Sequence, residues 1–348
     1  MSFYWKLDCE VCVFASPMKH GMLTAGTNNL SLLGVLIMSR WGWRMTNNKD
    51  ASPNCETTSL QRVMADGYRS QYGDETDALF FAMAKDDDKV ALVNPFLSKE
   101  HRQGIIGSSQ AISVLGFTCY RLPKDQKPVM MDGLLSHYFL DFSSVIPALL
   151  LPLEPHMRVL DMCAAPGGKL LIMLSRMVKD VRFFANDLSR ARSLRLMRVL
   201  NEFVPKQYLQ SFVTVTTKDA TVFGLHEKSR YDAVLLDAPC SSESHVVKDL
   251  SLLRKWQGIK KSLPRRQYSL LAAALLACKP KGHVMYATCS INEQENDGVI
   301  KRILHKKGDM CALVPLSSSV GDKTECGVII LPNRHGAGPL YFSLLARS

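Results

Sequence analysis

Two spacings of apolar residues divide this chain. Between Ser59 and Met83 they recur at helical intervals (Leu60, Val63, Met64, Tyr68, then Ala78, Leu79 and Phe80), with Gly73-Asp74 as a break. Val90-Ala91-Leu92-Val93 reads as a short strand closed by Asn94-Pro95, and 115–120 as another. From Leu134 onward, strand-like and helix-like segments alternate. A helix is predicted through Tyr138-Phe139-Leu140 and Ile146-Pro147-Ala148-Leu149-Leu150, leading into a strand over 158–162. A helix over 169–177, a strand over 181–185, a helix over 190–203 and a strand over 211–216 follow. The series continues with a strand over 233–237, a helix over 268–277 and a strand over 283–287. Such alternation predicts an α/β fold with a doubly wound, mostly parallel sheet. Two late strands, 327–331 and 340–345, are expected as antiparallel edge partners.

Composition adds size and partners to this picture. The chain has 348 residues, 47% hydrophobic and 22% charged, enough for one large α/β domain and a smaller N-terminal piece. The expected division is a leader over 1–50, a small helical or mixed lobe over 51–135, and the α/β domain over 136–348. A net charge of +11 favours an anionic partner, nucleic acid ahead of an acidic membrane surface or an acidic protein. Ten cysteines are too dilute for a disulfide scaffold and fit a reducing compartment. Cys9 and Cys12 form a lone C-x-x-C without a second Cys or His pair at zinc spacing, so no metal is expected. The apolar stretch from Leu30 to Met38 is far short of the about 20 residues that span a bilayer, and no membrane partner is expected. Val11 to Lys49 contains no acid but carries Lys19, Arg40, Arg44 and Lys49, the composition of a mitochondrial transit segment.

The candidate chemistry lies at strand ends. Tyr231-Asp232-Ala233-Val234-Leu235-Leu236 runs into Asp237-Ala238-Pro239-Cys240, and His283-Val284-Met285-Tyr286 into Ala287-Thr288-Cys289-Ser290. Residues just past the carboxyl ends of parallel strands face the ligand crevice. Two thiols there point to nucleophilic chemistry on one substrate, against the alternative of two buried structural cysteines. The first strand of the α/β series opens into Cys163-Ala164-Ala165-Pro166-Gly167-Gly168-Lys169, whose small residues let the backbone approach a ligand. It lacks G-x-G-x-x-G, which disfavours a dinucleotide and a nicotinamide-dependent oxidoreductase. Asp187 after the second strand suits the hydroxyls of a ribose, and Asp219 after the third an adenine amino group. This ordered set fits a nucleoside without phosphates, which describes S-adenosylmethionine. Between the thiols lies a basic insertion, Lys248, Arg254, Lys255, Lys260, Lys261, Arg265 and Arg266, with Asp249 the only acid from Lys248 to Arg266. It is placed for phosphate contacts, and its Trp256 is free either to stack on a base or to pack. Arg190, Arg192, Arg195 and Arg198 add charge along one helix.

The blocks from Val159 to Lys169, Asp237 to Cys240 and Ala287 to Ser290 resemble the Sun-domain (Fmu-like) RNA cytosine-5 methyltransferases, over roughly residues 136–348. Leu270 to Pro280, Leu188-Ser189-Arg190, Gly338 to Phe342, His245 and Ala91 to Asn94 resemble the animal mitochondrial paralogue that modifies small-subunit ribosomal RNA. The resemblance implies a class I S-adenosylmethionine-dependent methyltransferase fold, Rossmann-like. It implies Cys289 as nucleophile, Cys240 as the group assisting release, and Asp237 and Lys169 holding the target base. It also implies a cofactor site lined by Gly167, Gly168, Lys169, Asp187, Arg192, Asp219 and Asp237. Ala220 at that site and Lys281 before Gly282 stand where the family commonly has Gly, which predicts altered loop geometry with activity kept. The implied substrate is mitochondrial small-subunit ribosomal RNA, in the matrix, with a transcription-termination-factor-like helical repeat protein as partner. The alternatives are a mitochondrial transfer RNA methyltransferase and a non-catalytic mitoribosome assembly factor of the same fold.

Overall fold

In the computed structural model, which describes residues 53–348 apart from 86–88, 124, 259–260 and 317, the sheets follow from which apolar runs can be covered on both faces. The leader with its Cys9-x-x-Cys12 pair, and Lys260 of the basic insertion, lie outside the described residues. Apart from a two-residue pair at Met130–Met131 and Leu134–Leu135, the N-terminal strands are β1 (Lys89–Val93), β2 (Gln110–Val114), β3 (Phe117–Arg121) and β4 (His137–Asp141). They form a small antiparallel sheet in the order β2-β3-β1-β4. Tyr138, Phe139 and Leu140 are therefore strand rather than helix. They pair with Leu92, Ala91 and Val90, and the helix begins only at Phe142 (Phe142–Leu150). The helical spacing was misleading because an aromatic and apolar run fits a pleated surface as well, and the partner strand decides.

The central sheet uses β5 (Arg158–Asp161), β6 (Arg182–Asn186), β7 (Val213–Thr216), β8 (Tyr231–Asp237) and β9 (Cys278–Thr288), all mutually parallel. Beyond β9 come β10 (Cys311–Val314), β11 (Asp322–Lys323), β12 (Val328–Ile330) and β13 (Leu340–Arg347). The order is β11-β12-β13-β9-β8-β5-β6-β7, with β10 also on β13. The two late strands are antiparallel as expected, but β13 is interior, with β9 on one side and β10 and β12 on the other. Side chains of β8 alternate between two cores. Ala233 and Leu235 join the core that includes helices Gly168–Ser175 and Arg190–Phe203, and Val234 and Leu236 join the one under helix Ser262–Ala277. The chain leaves β5 for β6 and β7 on one side, then crosses to β8 and β9 on the other. The resulting switch point opens a crevice between β5 and β8.

The basic insertion is largely helical (Glu243–Lys248, Leu250–Leu253, then Ser262–Ala277). Val247, Leu253 and Trp256 pack with Met64, Tyr68, Leu79 and Phe80 of the N-terminal helices. A methyl group on Gly67 would lie 3.3 Å from the Trp256 ring, so this indole packs against protein.

Lys281 and Gly282 sit at a register irregularity within β9 and have opposite needs. Lys281 holds φ +65°, a region that strains a side chain by about 1–2 kcal/mol. Gly282 sits so close to Asp232 that a Cβ would meet its carbonyl oxygen at 2.5 Å. Lys281→Gly should therefore stabilise the fold by about 0.5 kcal/mol, after the greater chain entropy of Gly is offset. Gly282→Ala should destabilise it by about 2 kcal/mol or more. Urea unfolding of the two variants checks the opposite signs.

Candidate active site

The first wall is the turn after β5. Gly167 adopts φ +120°, a conformation open to glycine, and a Cβ there would crowd Leu196 at 3.0 Å. The turn then starts helix Gly168–Ser175, which carries the mostly buried Lys169 inward. Its Nζ donates to Asp237 Oδ2 at 2.7 Å, across the switch point, from the end of β5 to the end of β8. Burial opposes the Lys169 charge, but the Asp237 carboxylate outweighs it and the ammonium is held above its ordinary range. Asp161, at the end of β5, is fully buried and both its carboxylate oxygens lack a hydrogen-bond partner. Burial, then the charge of Asp237, pushes it up to about 8.

Two cavities flank this pair and meet at Cys163, which lines both. The larger, about 240 Å³, is bounded by Tyr138, Asp161, Ala165, Gly168, Lys169 and Asp237. The other, about 210 Å³, is bounded by Asp187, Arg192, Asp219, Ala220, Arg266 and Leu270. Asp187 is buried; its Oδ1 accepts from Ser189 N at 2.9 Å. Its Oδ2, 3.2 Å from Arg192 Nη1, receives no aligned hydrogen bond. Arg192 also donates to the carbonyl of Ala165, so its guanidinium braces the turn against the acid. Asp219 caps the segment Ala220–Val222 through Thr221, and that bonding holds its carboxyl below the usual range.

The thiols converge on the same edge. Asp237 pairs with Ala287 across β8 and β9, so the loops to Cys240 and Cys289 leave the sheet at one level. Their sulfurs lie 3.0 Å apart, both as free cysteines. Ser242 Oγ stands 3.2 Å from Cys289 Sγ and 3.5 Å from Cys240 Sγ, on a backbone with φ +53°, a strained conformation for serine. The hydrogen bond with Cys240 lowers the Cys289 thiol against the opposing effect of burial; Ser242 adds to the lowering, Asp237 opposes it and Lys169 partly offsets Asp237. The same bond, then burial, raises Cys240 well above its ordinary range. The pair is thus asymmetric in direction, with the Cys289 thiol lowered and the Cys240 thiol raised.

Of the predicted site residues, Gly168, Lys169 and Asp237 line the larger cavity and Asp187, Arg192, Asp219 and Ala220 the smaller, while Gly167, Cys240 and Cys289 line neither. The patterning missed four others. Asp161 carried a readable signal, an acid closing a buried strand. Asn186 has only its place beside Asp187, yet it binds the carbonyls of Met162 and Lys218 and accepts from Thr216 and Lys218, tying three strand ends together. Ser242 and Glu243 sat in a polar stretch that carries no pattern. Of the basic insertion, Arg266 lines the smaller cavity, and Arg254, Lys255, Lys261 and Arg265 are exposed.

A parallel sheet with this switch point, a glycine turn after its first strand and acids after the next two defines a class I methyltransferase architecture. Residues 148–346 match the family of the 16S rRNA methyltransferase RsmB/F, and the chain belongs to that family. It is 34% identical over 233 residues to the 5-cytosine rRNA methyltransferase NSUN4 of Bos taurus, covering 62% of this chain and 60% of that protein. It is 34% identical over 173 residues to a mitochondrial tRNA (cytosine(34)-C(5))-methyltransferase of Danio rerio, covering 49% of this chain and 47% of that protein. The chain thus spans about three fifths or less of these relatives. A methyltransferase homologue from Pyrococcus horikoshii shares the fold, with a TM-score of 0.66 and 21% identity, over 85% of this chain and 100% of that one.

The cofactor of this class is S-adenosylmethionine, and the cavities fit it. Both oxygens of Asp161 lack a hydrogen-bond partner and Asp187 Oδ2 has only its ion pair with Arg192, so a molecule bearing an ammonium and ribose hydroxyls has acceptors here.

The asymmetry of the thiols is measurable with an alkylating reagent that reads thiolate. Cys289 should alkylate with a midpoint below the about 8.5 of an ordinary cysteine, and Cys240 well above it. Cys240→Ala removes the donor, so the Cys289 midpoint should rise. Iodoacetamide labelling followed by mass spectrometry across pH checks both, and equal midpoints for the two thiols would contradict the assignment.

Proposed function

We propose that this chain is an S-adenosylmethionine-dependent RNA cytosine-5 methyltransferase acting on small-subunit ribosomal RNA in the mitochondrial matrix. The observation that carries the chemistry is the asymmetric thiol pair, 3.0 Å apart, beside the Lys169–Asp237 ion pair. Family membership and the names of the relatives support an RNA cytosine substrate. The basic, acid-poor leader and the mitochondrial relative support the compartment. Residues 136–348 carry the reaction in this reading, and 51–135 form the lobe that supports it.

Carbon 5 of cytosine is a weak nucleophile. Cys289 thiolate adds to carbon 6, forming an S–C bond and moving the C5=C6 electron pair toward carbon 5 and the ring carbonyl. Lys169, held protonated by Asp237, stabilises charge on the ring, and Asp237 accepts from the base edge. Bound S-adenosylmethionine supplies the methyl group that carbon 5 takes. The carbon-5 proton must then leave, so that its electron pair restores the double bond and expels Cys289 as thiolate. Cys240 is suited to that step only after the adduct forms. In the free enzyme the hydrogen bond to Cys289, then burial, favours its protonated form. Once Cys289 is a neutral thioether that hydrogen bond no longer holds the proton, and Cys240, after releasing it to solvent, can accept the carbon-5 proton. In this reading Asp187, Arg192, Asp219 and Ala220 surround the nucleoside end of the cofactor. Asp161 and the turn through Gly167 and Gly168 surround its amino-acid end.

The exposed cations at Arg254, Lys255, Lys261 and Arg265 would contact RNA phosphates. Target choice would come from the transcription-termination-factor-like partner that the family resemblance implies. A transfer RNA target is the second reading, favoured by the equal 34% identity to the mitochondrial tRNA enzyme; the longer match to the ribosomal RNA enzyme favours the first.

Cys289→Ala should lower methyl transfer by on the order of a thousandfold or more. Cys240→Ala should instead accumulate a protein–RNA adduct that survives denaturation. Turnover by the Cys289→Ala protein would remove the nucleophile assignment. Bisulfite sequencing of mitochondrial RNA after depletion should show a lost site in small-subunit ribosomal RNA, and a loss in transfer RNA would establish the second reading.

A further inference from the structure

One buried carboxylate joins the two thiol loops. Glu243 is fully buried and, among the described residues, is satisfied by hydrogen bonds. Its Oε1 accepts from Tyr68 Oη at 2.7 Å, from Ser290 Oγ at 2.9 Å and from Ser241 Oγ. Its Oε2 accepts from Ile291 N at 3.3 Å. Ser241 directly follows Cys240 and Ser290 directly follows Cys289, and their hydroxyls are 2.9 Å apart. Burial raises the Glu243 carboxyl, while the bonds from Ser241 and Tyr68 act to keep it ionised. A second buried acid, Glu295, accepts from Ser241 N at 3.0 Å and from Gln267 Nε2 at 2.8 Å, fixing the first loop from the other side.

The donor Tyr68 comes from far away in sequence, between helices Pro53–Asp66 and Arg69–Tyr72. The same segment grips the second loop. Tyr72 Oη and Gln71 Nε2 donate to the carbonyl of Ile291 at 2.6 and 2.8 Å, and Gln71 Oε1 accepts from Glu293 N at 3.1 Å. None of these groups touches the reacting sulfurs. Each is attached one to four residues from a cysteine, on loops with no ladder of their own to hold them.

We propose that Glu243, oriented by Tyr68, is the positioning residue that sets the separation of Cys240 and Cys289, so that the N-terminal helical segment governs how readily the covalent adduct is released. The proposal rests on the two-thiol chemistry above. A thiol pair acting in sequence on one base must be held to within about 0.5 Å, and loops reach that precision only when their own supports are locked. A carboxylate does this because it accepts on both oxygens. In Glu243→Gln the amide NH2 faces the Ile291 N–H, donor against donor, and the remaining bonds lose their charge assistance. Tyr68→Phe removes one donor and leaves the carboxylate and the other three in place.

The test uses the full chain carrying Glu243→Gln or Tyr68→Phe, with Cys240→Ala as reference and mitochondrial RNA as probe. In both variants the denaturation-resistant RNA adduct should rise at least about fivefold per methyl transferred. The Cys289 alkylation midpoint should rise toward that of Cys240→Ala, because separated thiols lose their hydrogen bond. A parallel fall of adduct and product with an unmoved midpoint would overturn the proposal, since that is what a merely less stable protein gives. If Cys240→Ala traps no adduct, it is the proposed role of Cys240 that fails. The alkylation midpoints then decide alone, a shift supporting the positioning role of Glu243 and no shift overturning it. Tyr68→Phe keeps the test decisive should Glu243→Gln not fold.

Discussion

The site depends first on the parallel register of β8 against β9. Asp237 lies opposite Ala287, so the chain segments carrying Cys240 and Cys289 emerge side by side. A slip of one residue would send Ala233 and Leu235 into the wrong core and separate the thiols along the strand direction. The register is held because alternate residues of β8 belong to different cores, each covered by helices. It brings the loops to the same level but does not fix their last turn. That is done by side chains, the buried acids Glu243 and Glu295 together with Tyr68, Gln71 and Tyr72 of the N-terminal segment.

Charge is arranged differently inside the crevice and on the surface. Inside, Lys169 pairs with Asp237 and Arg192 with Asp187, which leaves Asp161 as the acid without a cation of its own. Asp161 without a partner is costly at neutral pH and is held up to about 8 as a result. A cationic cofactor would favour the ionised form of Asp161. Outside, Arg254, Lys255, Lys261, Arg265 and Arg266 are exposed, and Arg266 also lines the smaller cavity. In the proposed function a polyanion would be drawn to these cations, and a single base swung out of its stack would enter the crevice.

Much of this was legible before any coordinates. The β-α alternation from residue 158 onward, the glycine turn at Gly167 and the acids at Asp187 and Asp219 are local signals, each set by the backbone conformation or period of its own segment. Elsewhere local pattern misled. Tyr138-Phe139-Leu140 carries helical spacing and forms a strand because Val90 to Leu92 offers an edge. The stretch 243–256 reads as a polar insertion and is held against the N-terminal helices through Val247, Leu253 and Trp256. Glu243 could not be found by pattern, since an isolated acid in polar sequence looks like surface, and its burial depends on donors 175 and 47 residues away.

By itself, then, the sequence determined that two cysteines, a glycine turn and a series of acids would close the strands of one parallel sheet. Only the tertiary structure decided that the two thiols differ in acidity, and in which direction. That asymmetry needs the 3.0 Å contact, the hydroxyl of Ser242 and the Lys169 ammonium together, and they come from three separate strand ends. Thiol acidity depends on the distance to charges and donors that folding alone brings together.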